Sequence, residues 1–182
     1  MRKIYLVRHG EAAATWQQDP DPGLSPMGIR QAESLAEHFG EVPVKHIFSS
    51  PLARAMQTAE PLGRAKDISI QVHQHFREIP SPVNIAMSER LEWLRSCVHK
   101  PWLSAAPEII SWRSSLLDSL EKLPDDAVVF THFMVLNAVV AHIQSEPNLV
   151  CYQPGYCSIL SLDLGRQMKV VDIGAESESR VL

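Results

Sequence analysis

Lys3-Ile4-Tyr5-Leu6-Val7-Arg8-His9-Gly10-Glu11 is the stretch on which the fold turns. Residues 3–7 are rich in β-formers and too few for a helix, so they read as a short buried strand. That strand runs straight into a guanidinium, an imidazole and a glycine. Outward from it, Ser25-Pro26 has the form of a helix start, with serine as N-cap and proline in the first helical position. Ile29, Ala32, Leu35, Ala36 and Phe39 then share one helical face, and Gly40 closes the helix. Residues 46–48 predict a second strand. Ser50-Pro51 repeats the Ser-Pro pattern and predicts a second capped helix running to about Arg64. Residues 68–72 alternate as a strand does.

The middle of the chain, residues 80–125, is different. It holds Trp93, Trp102, Trp112 and several prolines. Met87, Leu91, Leu94 and Val98 make one helical stripe, and Ile109, Leu116, Leu120 and Leu123 make another. Two helices packed over the main body are expected, with the tryptophans read first as core and second as lining for a substrate mouth. Residues 127–130 form a fully apolar strand and residues 135–143 a mostly apolar helix. Residues 159–164 and 168–173 close the chain as a strand pair around Gly165. Strands alternating with helices predict a three-layer αβα sandwich with a mostly parallel central sheet. The expected organisation is one domain, residues 1–182, with 80–125 as a small helical cap insertion. The polar-rich end, residues 175–182, is expected to fray.

The 182 residues are 45% apolar, enough for a substantial core, and the formal net charge of −4 offers no long-range attraction for nucleic acid or an anionic membrane surface. An anionic substrate must therefore meet a local cluster of cations. The N-terminus lacks the apolar stretch of a signal peptide, and no run reaches membrane-spanning length, so a cytoplasmic protein is expected. Cys97, Cys151 and Cys157 form neither a disulfide framework nor a zinc motif.

In parallel α/β sheets, ligands bind beyond the carboxyl ends of the strands. There the first strand delivers Arg8 and His9, the second leads into the helix carrying Arg54, and the apolar strand ends in Thr131-His132. Arg54 falls in a first helical turn that has no Asp or Glu, where the macrodipole disfavours a cation unless an anion shares the site. Two imidazoles and two guanidinium groups thus converge on one sheet edge. A metal site using His9, His132 and a carboxylate is the alternative, and the two arginines would repel the ion.

The chain resembles the histidine phosphatase superfamily, in its phosphoglycerate mutase-like branch. Arg8-His9-Gly10-Glu11 matches the family's first signature, and Leu24-Ser25-Pro26-Met27-Gly28-Ile29-Arg30-Gln31-Ala32 its second motif. Ser49-Ser50-Pro51-Leu52-Ala53-Arg54-Ala55-Met56-Gln57-Thr58-Ala59 is similar to the third, and Val129-Phe130-Thr131-His132 to the strand before the second histidine. The resemblance implies a phosphatase in which His9 attacks phosphorus and forms a phosphohistidine. Arg8, Arg54 and His132 would bind the phosphoryl oxygens, and His132 would also act in catalysis. Neither metal nor cofactor is implied. Glu78, in Phe76-Arg77-Glu78-Ile79, would be the general acid, with Glu11 as the alternative. Gly10 would allow a tight turn and close approach of backbone to phosphate.

The chain departs from the family pattern in three places. Phe133 stands where glycine is common, and is expected to add bulk beside the phosphate. Thr15 replaces a common Asn, and Pro80-Ser81-Pro82 replaces a Gly-rich segment. The chain is also shorter than the mutases, which favours hydrolysis. The implied substrate is a small phosphorylated metabolite or a phosphoprotein, with no nucleic acid or membrane partner. Alternatives are a phosphoglycerate mutase-type phosphotransferase, a protein phosphohistidine phosphatase and a catalytically inactive phosphate-binding protein.

Overall fold

The computed structural model describes residues 2–15 and 18–177. Its single six-stranded sheet has the order β3-β2-β4-β1-β5-β6. The strands are β1 (Lys3–Arg8), β2 (His46–Ser49), β3 (Ile70–Val72), β4 (Ala127–Thr131), β5 (Ile159–Leu164) and β6 (Met168–Asp172). β3, β2, β4 and β1 run parallel, and the closing pair adds antiparallel edges. The helices are α1 (Pro26–His38), α2 (Ala53–Lys66), α3 (Arg90–Cys97), α4 (Pro107–Glu121) and α5 (Phe133–Gln144). The fold is the expected αβα sandwich. No helix among the described residues is long and apolar enough to cross a membrane.

Strand alternation assigns the two faces. Val7, Ile47, Val128 and Phe130 pack with Leu35 and Phe39 on the α1 side and with Ala59 and Leu62 of α2. Ile4, Leu6, Phe48, Ala127 and Val129 meet Leu94, Leu116, Leu120 and the apolar α5 on the other face. Helix α5 is buried from Phe133 to Ala141, as its uninterrupted apolar run requires. The stripe Ile109, Leu116, Leu120, Leu123 is wholly buried, and Trp102 joins the same core.

Register positions the chemistry. Val7 of β1 and Ser49 of β2 both pair with Phe130 of β4, and Arg8 pairs with Thr131. Three parallel strands therefore end level, and His9, Ser50 and His132 follow side by side.

Several expectations are corrected. Ser25 caps α1, accepting from the Gly28 amide, but Ser50 does not cap α2. That helix starts at Ala53 with Leu52 as a cap that makes no side-chain bond, and the Ser50 hydroxyl lies two residues upstream, accepting the Leu52 amide and contacting His132. Ile29 is 49% exposed, lying outside the buried face that Ala32, Leu35 and Phe39 form. In the α3 region Leu94 and Cys97 are buried, whereas Met87 is exposed. Residues 175–177 are tied down: Gly155 donates to the Ala175 carbonyl and Ser177 to that of Gln153. Residues 178–182, where fraying is also expected, lie outside the described residues.

Candidate active site

The His9 amide donates to the Thr131 carbonyl across the β1–β4 seam, which fixes the His9 loop to the strand that leads to His132. The ring is then set by its own neighbour: Nδ1 lies 2.7 Å from the Gly10 carbonyl oxygen. A carbonyl only accepts, so Nδ1 carries the proton and Nε2 presents its lone pair. That lone pair faces Arg54 Nε at 3.2 Å. Burial, reinforced by the Arg54 and Arg8 charges, pushes the His9 pKa well below the ordinary imidazole value. A neutral imidazole nitrogen of this kind is a competent nucleophile at neutral pH.

The loop is held without a positive-φ glycine. The Gly10 amide donates to Thr58 Oγ1 at 3.0 Å, and that hydroxyl donates to the Arg54 carbonyl at 2.6 Å. Gly10 is required by close packing rather than by a tight turn: a Cβ there would sit 2.8 Å from the Gly28 carbonyl oxygen. The reverse contact is tighter still, since a Cβ on Gly28 would come within 2.1 Å of the Glu11 carbonyl oxygen.

Arg54 is 2% exposed in the first turn of α2, with Nη1 3.7 Å from Asp21. Arg8 is 4% exposed. Its Nη1 donates to the Pro154 carbonyl at 2.7 Å, and its guanidinium stacks on Tyr156 (4.4 Å) and Phe133 (5.1 Å). Burial lowers the Arg8 pKa to about 10, which leaves it charged at neutral pH. Phe133, expected to add bulk beside the phosphate, is buried with its ring under the Arg8 guanidinium. The loop carrying Pro154 and Tyr156 is anchored by Asn137, whose Oδ1 accepts the Cys151 and Tyr152 amides.

His132 is completely buried at the start of α5, its ring 5.3 Å from that of His9. Its Nε2 lies 2.7 Å from Ser50 Oγ. Glu78 is buried across the same site. Oε1 accepts the Ile79 amide (3.0 Å) and the Met134 amide (3.1 Å). Burial raises its pKa above the ordinary carboxyl value, despite the Ile79 N–H and the Arg90, Arg54 and Arg8 charges that oppose it. The Met134 amide also reaches Oε2, at 3.4 Å. Glu11 is occupied elsewhere: its carboxylate accepts the Ser25 hydroxyl at 2.6 Å. Thr15 is exposed, and its amide donates to Gln18 Oε1.

All five residues expected at the site, Arg8, His9, Arg54, Glu78 and His132, are thus brought together. Arg54 and Glu78 also line a cavity of about 360 Å³ with Leu52, Arg77, Met87 and Trp112. Trp112 is partly buried and donates Nε1–H to the Arg77 carbonyl, so it borders the mouth as well as the core. Four contributors were missed. Asp21 and Tyr156 come from loops with no periodic signal. Ser50 was masked by its helix-cap pattern. Arg90 holds the Pro80-Ser81-Pro82 loop by donating to the Ile79 carbonyl and to Ser81 Oγ, and lies in the field of Glu78. Among the described residues no group of three His, Cys, Asp or Glu side chains is placed to hold a metal ion.

A family model described as histidine phosphatase superfamily, branch 1, matches residues 4–173. The chain belongs to this superfamily. A probable phosphoglycerate mutase GpmB of Yersinia pestis (strain Pestoides F) is 32% identical over 165 residues, covering 81% of this chain and 77% of that protein. Solved structures share the fold. A mycobacterial glucosyl-3-phosphoglycerate phosphatase aligns with TM-score 0.75 at 20% identity, covering 96% of this chain and 99% of that one. A phosphoserine phosphatase from Entamoeba histolytica, solved with 3-phosphoglyceric acid, aligns with TM-score 0.70 at 23% identity, covering 96% and 98%.

Proposed function

We propose that this superfamily member is a phosphomonoesterase that works through a phosphohistidine on His9. The observation that carries the reading is the Gly10 carbonyl on His9 Nδ1, which leaves Nε2 as a fixed lone pair beside the Arg54 guanidinium. Phosphoryl transfer asks a protein for in-line positioning and for charge on the equatorial oxygens. Arg8 and Arg54 supply forked donors for those oxygens, and His132 a further one. Glu78, whose pKa burial raises, is the general acid that protonates the leaving oxygen. The resulting carboxylate then takes a proton from the water that cleaves the P–N bond. These groups cover the developing charge, so the reaction needs no metal.

The substrate class is a small phosphorylated metabolite. Its non-phosphate part occupies the cavity bordered by Leu52, Met87 and Trp112. Residues 80–125 serve as the cap, since Pro80, Ser81, Met87, Arg90 and Trp112 border that cavity. The likeness to a probable phosphoglycerate mutase supports a second reading, isomerisation of a phosphoglycerate.

A panel of phosphorylated metabolites assayed with a chelator present tests the reading, together with acid-labile labelling of the enzyme after rapid quench. Free phosphate and a labelled enzyme that disappears in His9→Ala are expected. Isomer formation from 3-phosphoglycerate with a bisphosphate primer would establish the mutase instead. A rate abolished by chelator would overturn metal independence.

A further inference from the structure

The hydrogens on Ser50 and His132 can be counted. Ser50 Oγ is fully buried, accepts the Leu52 amide at 3.3 Å and lies 2.7 Å from His132 Nε2. It has one hydrogen to place, and His132 Nε2 is the acceptor beside it. His132 Nδ1 is buried and has no hydrogen-bond partner among the described residues. The charged groups acting on this ring are Arg54, Arg8 and Arg90, with His9 alongside. Such surroundings oppose a second positive charge, so one nitrogen carries a hydrogen and the other does not.

Two arrangements are possible. If Nε2 holds the hydrogen, it donates to Ser50. The Ser50 hydrogen then has no acceptor, and the buried Nδ1 lone pair has no donor among the described residues. If Ser50 donates to Nε2, the hydroxyl is satisfied and Nδ1–H is left as a donor that lacks only an acceptor. Leaving buried donors and lone pairs unmatched is costly, so the second arrangement prevails.

We infer that Ser50 is a positioning residue whose hydroxyl donates to His132 Nε2 and holds His132 as a neutral Nδ1–H donor aimed at the phosphoryl group. This rests on the reading of the site as a phosphate pocket. Partners that orient metal-bound histidines change affinity or activity by about 10–100-fold when removed, and a similar scale is taken for Ser50.

Nitrogen-15 NMR of histidine-labelled protein, free and saturated with inorganic phosphate, reads the tautomer directly and needs no turnover. The expected spectrum has His132 protonated on Nδ1. Ser50→Ala should populate the other tautomer, weaken inorganic phosphate binding about 10-fold or more, and lower kcat. Ser50→Thr keeps a hydroxyl and should restore both. A His132 protonated on Nε2 in the phosphate-bound wild-type protein overturns the inference, as does a Ser50→Ala protein that binds phosphate normally. Failure of the wild-type protein to bind phosphate would instead overturn the pocket itself, and this inference with it.

Discussion

Arg54 Nε sits 3.2 Å from His9 Nε2, so the guanidinium covers the lone pair that the Gly10 carbonyl exposes. An arriving phosphoryl group must take that N–H for one of its own oxygens. The same Arg54 is tied by its carbonyl, through Thr58, to the Gly10 amide, so the His9–Gly10 loop and Arg54 are positioned by one short chain of bonds. Arg54→Ala should reduce kcat/KM about 10²–10³-fold, the scale of losing one preorganised donor. Arg54→Lys should recover little, because an ammonium cannot reproduce the fork. Steady-state kinetics with p-nitrophenyl phosphate checks both.

The pH profile follows from two opposite shifts. The His9 pKa lies well below the ordinary 6.5, so the nucleophile stays neutral as pH falls past that value. Activity should therefore show no histidine-type loss near pH 6.5. On the alkaline side the rate should fall as Glu78 loses its proton, at a pH above the ordinary carboxyl range. In Glu78→Gln that alkaline loss should vanish from the kcat/KM profile.

Glu78→Gln should slow alkyl phosphates by about 10²–10⁴-fold, the usual contribution of a positioned acid. Aryl phosphates with good leaving groups should be affected far less. Parallel assays of the two substrate types measure the ratio, and equal slowing would move the acid role to another residue.

Stability depends on the same groups. His9 and His132 both have folded-state pKa values below 6.5. The unfolded chain binds more protons than the folded one as pH falls below that value. Their contribution is thus fully present above about pH 6.5 and is lost on acidification. Glu78 acts oppositely, its contribution being lost as pH rises through its raised folded value, but one carboxyl opposes two imidazoles. The Tm should decline below pH 6.5, and His132→Asn should flatten that decline in calorimetric scans.

Gly28→Ala should destabilise the fold by about 1–3 kcal/mol, because its Cβ would lie 2.1 Å from the Glu11 carbonyl oxygen. The displaced loop carries His9, so kcat should fall with Tm. Gly165→Ala, where the nearest contact is 3.6 Å, should change neither.

Much of the fold and of the site is legible in the chain because β1, β2 and β4 are short apolar runs whose ends carry unlike chemistry. Arg8, His9 and His132 follow directly from those ends. The Ser25 cap obeys local rules, and the structure agrees with it. The Ser50-Pro51 pattern obeys the same local rules and misleads: the helix begins two residues later, and the hydroxyl also meets a tertiary partner 82 residues away. Phe133 misleads similarly: sequence gives its size, whereas its burial under Arg8 depends on α5 packing against the sheet. Tyr156 and Asp21 are brought in by loops, whose paths no periodicity encodes.

β1 and β4 lie in the interior of the sheet, bonded on both sides. Their amides at Leu6, Val7, Val129 and Phe130 are therefore expected to exchange with deuterium only when the entire molecule opens. The two imidazoles then come apart at the same moment as the core. Heating should leave no long-lived species that is folded but dead, and residual activity after a thermal challenge should count surviving native molecules one for one.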